Sequence, residues 1–168
     1  MFINKYMKIT TLITTLLITL FFVSCSHKQV DLNKQIPPPS SIQNVAIYTF
    51  ENYTDTPRAG MRAANLTEGI LLSKGYTVVN NVNTQTLNMS YQEKVLDAKR
   101  KNYRYLFTGG LSEWRYKTGI DGEPAISLHL KLIELSTNKI IWSAVGSDNS
   151  WGNASIGTVA QELISSML

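Results

Sequence analysis

Ala125-Ile126-Ser127-Leu128-His129-Leu130-Lys131-Leu132-Ile133-Glu134-Leu135, then Ser136-Thr137-Asn138, then Lys139-Ile140-Ile141-Trp142-Ser143-Ala144, is the stretch that decides the fold. In its first part Ile126, Leu128, Leu130 and Leu132 point one way, and Ser127, His129 and Lys131 the other. That period of two is the mark of a strand with one core face and one wet face. Ser136-Thr137-Asn138 is a short turn, so residues 125–135 and 139–146 form a hairpin. Trp142, in an apolar strand, reads as core. Immediately upstream, residues 104–117 form a third strand, in which Thr108-Gly109-Gly110 marks a bulge or a close backbone approach. Gly119-Ile120-Asp121-Gly122-Glu123-Pro124 is the turn between the first two of these strands. Downstream, Ser155 caps a last helix with Ile156, Val159, Leu163 and Met167 on one face.

The preceding part of the chain alternates strand and helix. Residues 44–50 form a first strand, with Val45, Ala46 and Ile47 apolar in succession, as in a strand buried on both faces. Thr56-Pro57 has the form of a helix start, a capping residue followed by proline. Ala59, Ala63, Leu66 and Ile70 then line one helical face, and Gly75 ends the helix. Residues 76–79 are the second strand. Ser90-Tyr91-Gln92-Glu93 is a capping box that opens a further helix to about Lys101. The order is β-α-β-α-β-β-β-α. It predicts a single compact α/β (α+β) domain over residues 44–168, with helices packed on a mixed sheet whose first strands are parallel.

Residues 1–24 have the form of a lipoprotein signal peptide. Lys5 and Lys8 are its positive region, and residues 9–23 its apolar run. That run is short for a membrane span, which needs roughly 20 residues. Phe22-Val23-Ser24-Cys25 resembles a bacterial lipobox, with Phe22 where Leu is usual. The resemblance implies cleavage before Cys25, with lipid on its sulfur and an acyl chain on its new amine. Ser26 in place of Asp favours sorting to the outer membrane. Residues 25–43 then read as a lipidated Cys and a flexible tether stiffened by Pro37-Pro38-Pro39. Loss of Lys5 and Lys8 lowers the formal charge from +4 to +2, since all twelve acids follow Cys25. A nearly balanced mature chain is poor material for nucleic-acid binding.

The residues also count against an enzyme. His27 lies in the expected tether and His129 on a polar strand face, and no Gly-rich phosphate loop occurs. Asp121 and Glu123 sit in a turn that does not exclude water to tune an acid/base pair. A calcium ion needs six to eight oxygens, which the turn does not supply. A lone cysteine excludes an intramolecular disulfide and multi-cysteine zinc sites, and no cofactor is implied. Tyr103, Tyr105, Phe107, Trp114 and Tyr116 could stack bases, but core and interface packing is the stronger reading. Trp151 differs. It stands in a polar loop, Asp148-Asn149-Ser150-Trp151-Gly152-Asn153, where a large ring either folds back or meets a membrane or a neighbour.

Trp114-Arg115-Tyr116-Lys117, Gly119, Asp121-Gly122-Glu123-Pro124-Ala125, Trp142-Ser143-Ala144 and Trp151-Gly152 together resemble the PelC family of Pel polysaccharide export lipoproteins. Phe50-Glu51-Asn52-Tyr53-Thr54 fits the loop after that family's first strand. The likeness spans residues 44–168. It implies a homo-oligomer, a ring of twelve under the outer membrane at the periplasmic mouth of an export porin with a periplasmic scaffold. The Asp matching Asp121 would line an acidic path for a cationic polysaccharide, with Glu123 sharing the role. The Trp matching Trp151 would face outer-membrane lipid. Where the family usually has a basic residue after Trp-Gly, this chain has Asn153. A lipoprotein activator of a peptidoglycan synthase, or a curli-type secretion lipoprotein, is the alternative from the same element order. An activator would be monomeric.

The lipobox generates the first prediction. Cys25→Ala leaves unprocessed precursor or a protein lost from the outer membrane, measured by fractionation and intact mass. Normal processing of that variant would overturn the lipoprotein reading.

Overall fold

The computed structural model describes residues 27–116, 119, 122–150 and 154–168. Seven strands form one mixed sheet. They are β1 (His27–Leu32), β2 (Val45–Tyr48), β3 (Glu51–Asn52), β4 (Val78–Asn81), β5 (Tyr105–Arg115), β6 (Ala125–Glu134) and β7 (Lys139–Asn149). Four helices accompany them: α1 (Ala59–Ser73), α2 (Thr84–Leu87), α3 (Tyr91–Arg100) and α4 (Ile156–Met167). The order across the sheet is β1-β7-β6-β5-β2-β4, with β3 continuing beside β5. β2 is parallel to both β4 and β5, as two helical crossovers require. β5, β6, β7 and β1 are antiparallel to their neighbours. From residue 44 onward the expected element order is therefore reproduced, with the small β3 and α2 added.

The main core lies between one sheet face and helices α1 and α4. Ile126, Leu128, Leu130 and Leu132 of β6 point into it, with Phe107 and the fully buried Trp142, whose ring centroids are 5.7 Å apart. α4 opens on Ser155, whose hydroxyl accepts from the Thr158 amide, and buries Ile156, Val159, Leu163 and Met167 as its spacing predicts. A smaller core lies on the opposite face under α3, where Ala46, Tyr48, Leu106 and Ile133 meet Ala98. β2 thus feeds both cores, which is why all four of its residues are buried. α3 begins with the Ser90–Glu93 capping box, satisfying orphan amides at its first turn. Its Asp97 accepts from the Tyr48 hydroxyl at 2.7 Å and pairs with Lys101 at 2.8 Å. These bonds, the Lys101 one foremost, hold the Asp97 carboxyl below its usual range, and burial raises the Tyr48 phenol.

Two expectations fail. Residues 27–43 of the expected tether are not free: from His27 the chain is already strand β1, paired with β7 through six residues. Further along the segment, a few positions pack onto the domain. Ile42 is buried, Ile36 rests on the main core, and the Pro37 carbonyl accepts from the Tyr76 hydroxyl at 2.8 Å. The physical reason is that an edge strand needs only backbone pairing and one inward side chain, here Val30. Nor does α1 start at Pro57. Arg58 takes a left-handed conformation with φ of 60° and sends the chain into the helix at Ala59. The Thr56 hydroxyl donates to the Trp114 carbonyl at 2.8 Å instead of capping.

Gly60 and Gly69, both in α1, give opposite predictions. A Cβ at Gly60 would lie 2.1 Å from the Phe50 carbonyl oxygen, a backbone atom, whereas one at Gly69 meets nothing within 4 Å. Alanine is normally better than glycine inside a helix by about 0.5–1 kcal/mol. At Gly60 overpacking of about 1–3 kcal/mol outweighs that gain. Gly60→Ala therefore lowers the denaturation midpoint and Gly69→Ala raises it slightly, as read by urea titration.

Candidate functional site

The antiparallel registers collect one end of the sheet. His27 opens β1 opposite Asn149, which closes β7. Asn149 also faces Ala125, which opens β6, and Ala125 faces Arg115, which closes β5. Ser155, the cap of α4, follows a few residues after Asn149. The turn that enters β6 is stitched to the end of β7: Asn149 Nδ2 donates to Glu123 Oε2 at 3.3 Å, and the Ser150 amide to the Pro124 carbonyl at 3.2 Å. Arg115 pairs with Glu113 at 3.4 Å. The Arg62 guanidinium of α1 lies 5.9 Å from the Tyr116 ring centroid and donates to its hydroxyl, fixing where the chain leaves β5.

Of the four residues singled out by sequence, only Glu123 is among the described residues. It is half-buried and held by Asn149. Cys25, Asp121 and Trp151 lie outside them. Their connections are nonetheless fixed by the chain. Cys25 precedes His27 by two residues, Trp151 follows Asn149 by two, and Asp121 precedes Ala125 by four. Each is thus covalently attached close to the same end of the sheet. Among the described residues no cluster of three or more His, Cys, Asp or Glu side chains could hold a metal ion, and no helix is long and apolar enough to cross a membrane. The aromatics of β5 are core, not a stacking surface: Tyr105, Phe107 and Trp114 are buried.

No family model and no curated protein matches the chain. Solved structures do. The chain is similar to the PelC dodecamer of Paraburkholderia phytofirmans at 30% identity and a TM-score of 0.71, covering 84% of this chain and 94% of that one. The chain belongs to the PelC family. A point variant of the same relative, also a dodecamer, gives a TM-score of 0.72 over 95% of its length. The lipoprotein GNA1162 of Neisseria meningitidis shares the fold at 13% identity and a TM-score of 0.53.

Lys28 and Asp148 escaped the sequence reading. They face each other in the β1–β7 register, on the side of α4, with Lys28 Nζ 3.9 Å from Asp148 Oδ2. The Asp148 carboxylate is buried, and its Oδ1 accepts no hydrogen bond among the described residues. The available signal was the Asp148-Asn149-Ser150 run, which reads as a solvated loop although Asp148 and Asn149 form the end of β7. Burial raises the Asp148 carboxyl above its ordinary value. Lys28 and the Asn149 amide oppose this, and Glu162 of α4 adds to it.

A group whose folded pKa is raised stabilises the fold fully below its unfolded pKa, and loses that contribution as pH rises through the folded value. Asp148→Asn, which removes the buried charge, therefore raises thermal stability relative to wild type at neutral pH. The gap closes as pH falls through the carboxylate range. Matched thermal melts across pH check this; a gap that widens on acidification would contradict it.

Proposed function

We infer that this member of the PelC family is a non-enzymatic lipoprotein of Pel-type exopolysaccharide export in biofilm formation, anchored through Cys25 to the periplasmic face of the outer membrane. Copies assemble into a ring, and the ring guides a cationic polysaccharide toward an outer-membrane porin and its periplasmic scaffold. The observation that carries this reading is the 30% identity to a PelC dodecamer over nearly all of that chain. The attachment of Cys25, Asp121 and Trp151 to one end of the sheet supports it.

The electrostatics favour an assembly. A single carboxylate on an exposed turn attracts a cation weakly, because physiological salt screens it over about 8 Å. Many copies of Asp121, with Glu123 beside them, converging on one lumen create a potential of several kT. The copies repel one another, and a passing polycation relieves that repulsion. Placement thus matters more than total charge, which agrees with the chain's small net charge. Trp151 contributes in the same collective way at the lipid surface. Burying one ring is worth roughly 2–3 kcal/mol, and repetition around a ring adds avidity.

The test is Asp121→Lys in a complemented deletion strain. Folding, outer-membrane fractionation and native mass stay as in wild type, and secreted polymer per assembled complex falls several-fold, with Asp121→Asn milder. Full export by a correctly assembled Asp121→Lys protein would remove the path role from this residue. A native mass showing only a monomer would favour the synthase-activator reading instead.

A further inference from the structure

Phe50-Glu51-Asn52-Tyr53-Thr54 is held more firmly than a connecting loop requires. β3 keeps Glu51 opposite Gly110 and Asn52 opposite Leu111 of β5, and the Tyr53 amide still donates to the Leu111 carbonyl at 2.9 Å. Asn52 then locks the turn. Its Oδ1 accepts from the Thr54 amide at 3.1 Å and the Thr54 hydroxyl at 2.8 Å, and its Nδ2 donates to the Thr56 carbonyl at 2.8 Å. This framework displays one ring. Tyr53 is 67% exposed, more than any other large hydrophobic side chain among the described residues. A scattered exposed aromatic is ordinary. Here the turn fixes its backbone, and its hydroxyl donates to Glu51 Oε2 at 2.5 Å, which fixes the ring.

Gly110 supplies the floor. A Cβ there would lie 2.7 Å from His129 Cε1 and 3.1 Å from Tyr53 Cε2, so both rings border the space that the missing side chain leaves. Lys94 of α3, only 1% exposed, puts an ammonium within electrostatic reach of Glu51. Burial pushes that ammonium's pKa down, and Glu51 opposes the shift. The Glu51 charge is thus answered from inside the protein, and the corner does not present a bare carboxylate to a cation. We propose that Tyr53, Glu51 and His129 form a subsite for one uncharged sugar ring, a hexose or an N-acylated hexosamine, of the exported polysaccharide. The proposal rests on the export reading and adds a contact that charge alone does not make. The face of a phenol ring carries negative potential and meets the C–H face of a pyranose. The Tyr53 bond occupies Glu51 Oε2 and leaves Oε1 to accept a sugar hydroxyl. A neutral His129 imidazole offers one donor and one acceptor to the same ring. Because the turn is already ordered, binding costs little further entropy.

The chain has two histidines, His27 and His129, so imidazole nuclear magnetic resonance signals read the site directly with an internal control. The full-length protein, purified from membranes in detergent and labelled at histidine, is titrated at fixed pH with the neutral N-acetylglucosamine tetramer. A parallel titration uses the fully deacetylated, cationic tetramer. The neutral tetramer shifts the His129 signals saturably and leaves those of His27 in place. Tyr53→Ala, at an exposed position, keeps the wild-type melting temperature and weakens this binding several-fold. Tyr53→Phe keeps the ring, gives up the Glu51 bond and retains most of the binding. A His129 titration unchanged by Tyr53→Ala would overturn the subsite, and so would a shift with the cationic tetramer alone. No saturable shift, in a wild-type protein that restores export to a deletion strain, would overturn the subsite and leave the export reading standing. A wild-type protein that fails to restore export would overturn both.

Discussion

The register of β7 between its two neighbours decides most of what the molecule is. Leu128 of β6 and Val30 of β1 both stand opposite Gly146. A Cβ at Gly146 would lie 2.9 Å from a Leu163 methyl and 3.1 Å from the Met167 sulfur. The absent side chain is where α4 settles onto the sheet. A slip of one residue would turn Trp142, Ala144 and Gly146 to the opposite face and leave α4 without a seat. The same register sets His27, Ala125 and Asn149 side by side, so the packing of the core and the composition of this end of the sheet are one constraint.

A second constraint acts at the middle of β5. A Cβ at Gly109 would lie 2.5 Å from the His129 carbonyl oxygen, and one at Gly110 would lie 2.7 Å from the His129 ring. The two glycines let β6 approach, and the His129 imidazole occupies the space over Gly110. Burial there pushes the imidazole pKa down, with Lys131 adding to the effect and Glu51 opposing it. The ring serves as packing over Gly110. Beyond Leu111 the β5–β6 register shifts. That shift lets Trp114 turn into the main core although its spacing from Phe107 is odd.

Much of the fold was legible because its signals are local. Alternation in β6, the capping box at Ser90, the cap at Ser155 and the stop at Gly75, with φ of 87°, each follow from a few neighbouring residues. β1 was not legible. His27-Lys28-Gln29-Val30-Asp31-Leu32 has one side chain packed on the core, and its stability comes from a ladder to residues more than a hundred positions away. The start of α1 was misread for a related reason. Thr56-Pro57 carries the right local chemistry, but the Trp114 carbonyl, distant in sequence, takes the threonine hydroxyl. For the site, the lipobox pointed to Cys25, and the family resemblance to Asp121, Glu123 and Trp151. Neither held a trace of the fact that their connections leave from one end, because that depends on pairing between β1, β6 and β7.

A paired β1 in place of a free tether changes the physics of any assembly of copies. Carboxylates on separate copies reinforce one another only when they converge, and at about 8 Å of screening a displacement of a few ångströms matters. A protomer on a long flexible linker would be free to tumble, so contacts between copies would carry the whole orientational entropy of assembly. Pairing of residues 27–32 with β7 takes that slack out of the described part of the chain. The polar sequence of β1 follows from its place at the sheet edge: it has to pair on one side, stay soluble on the other, and avoid joining the sheet of an unrelated chain.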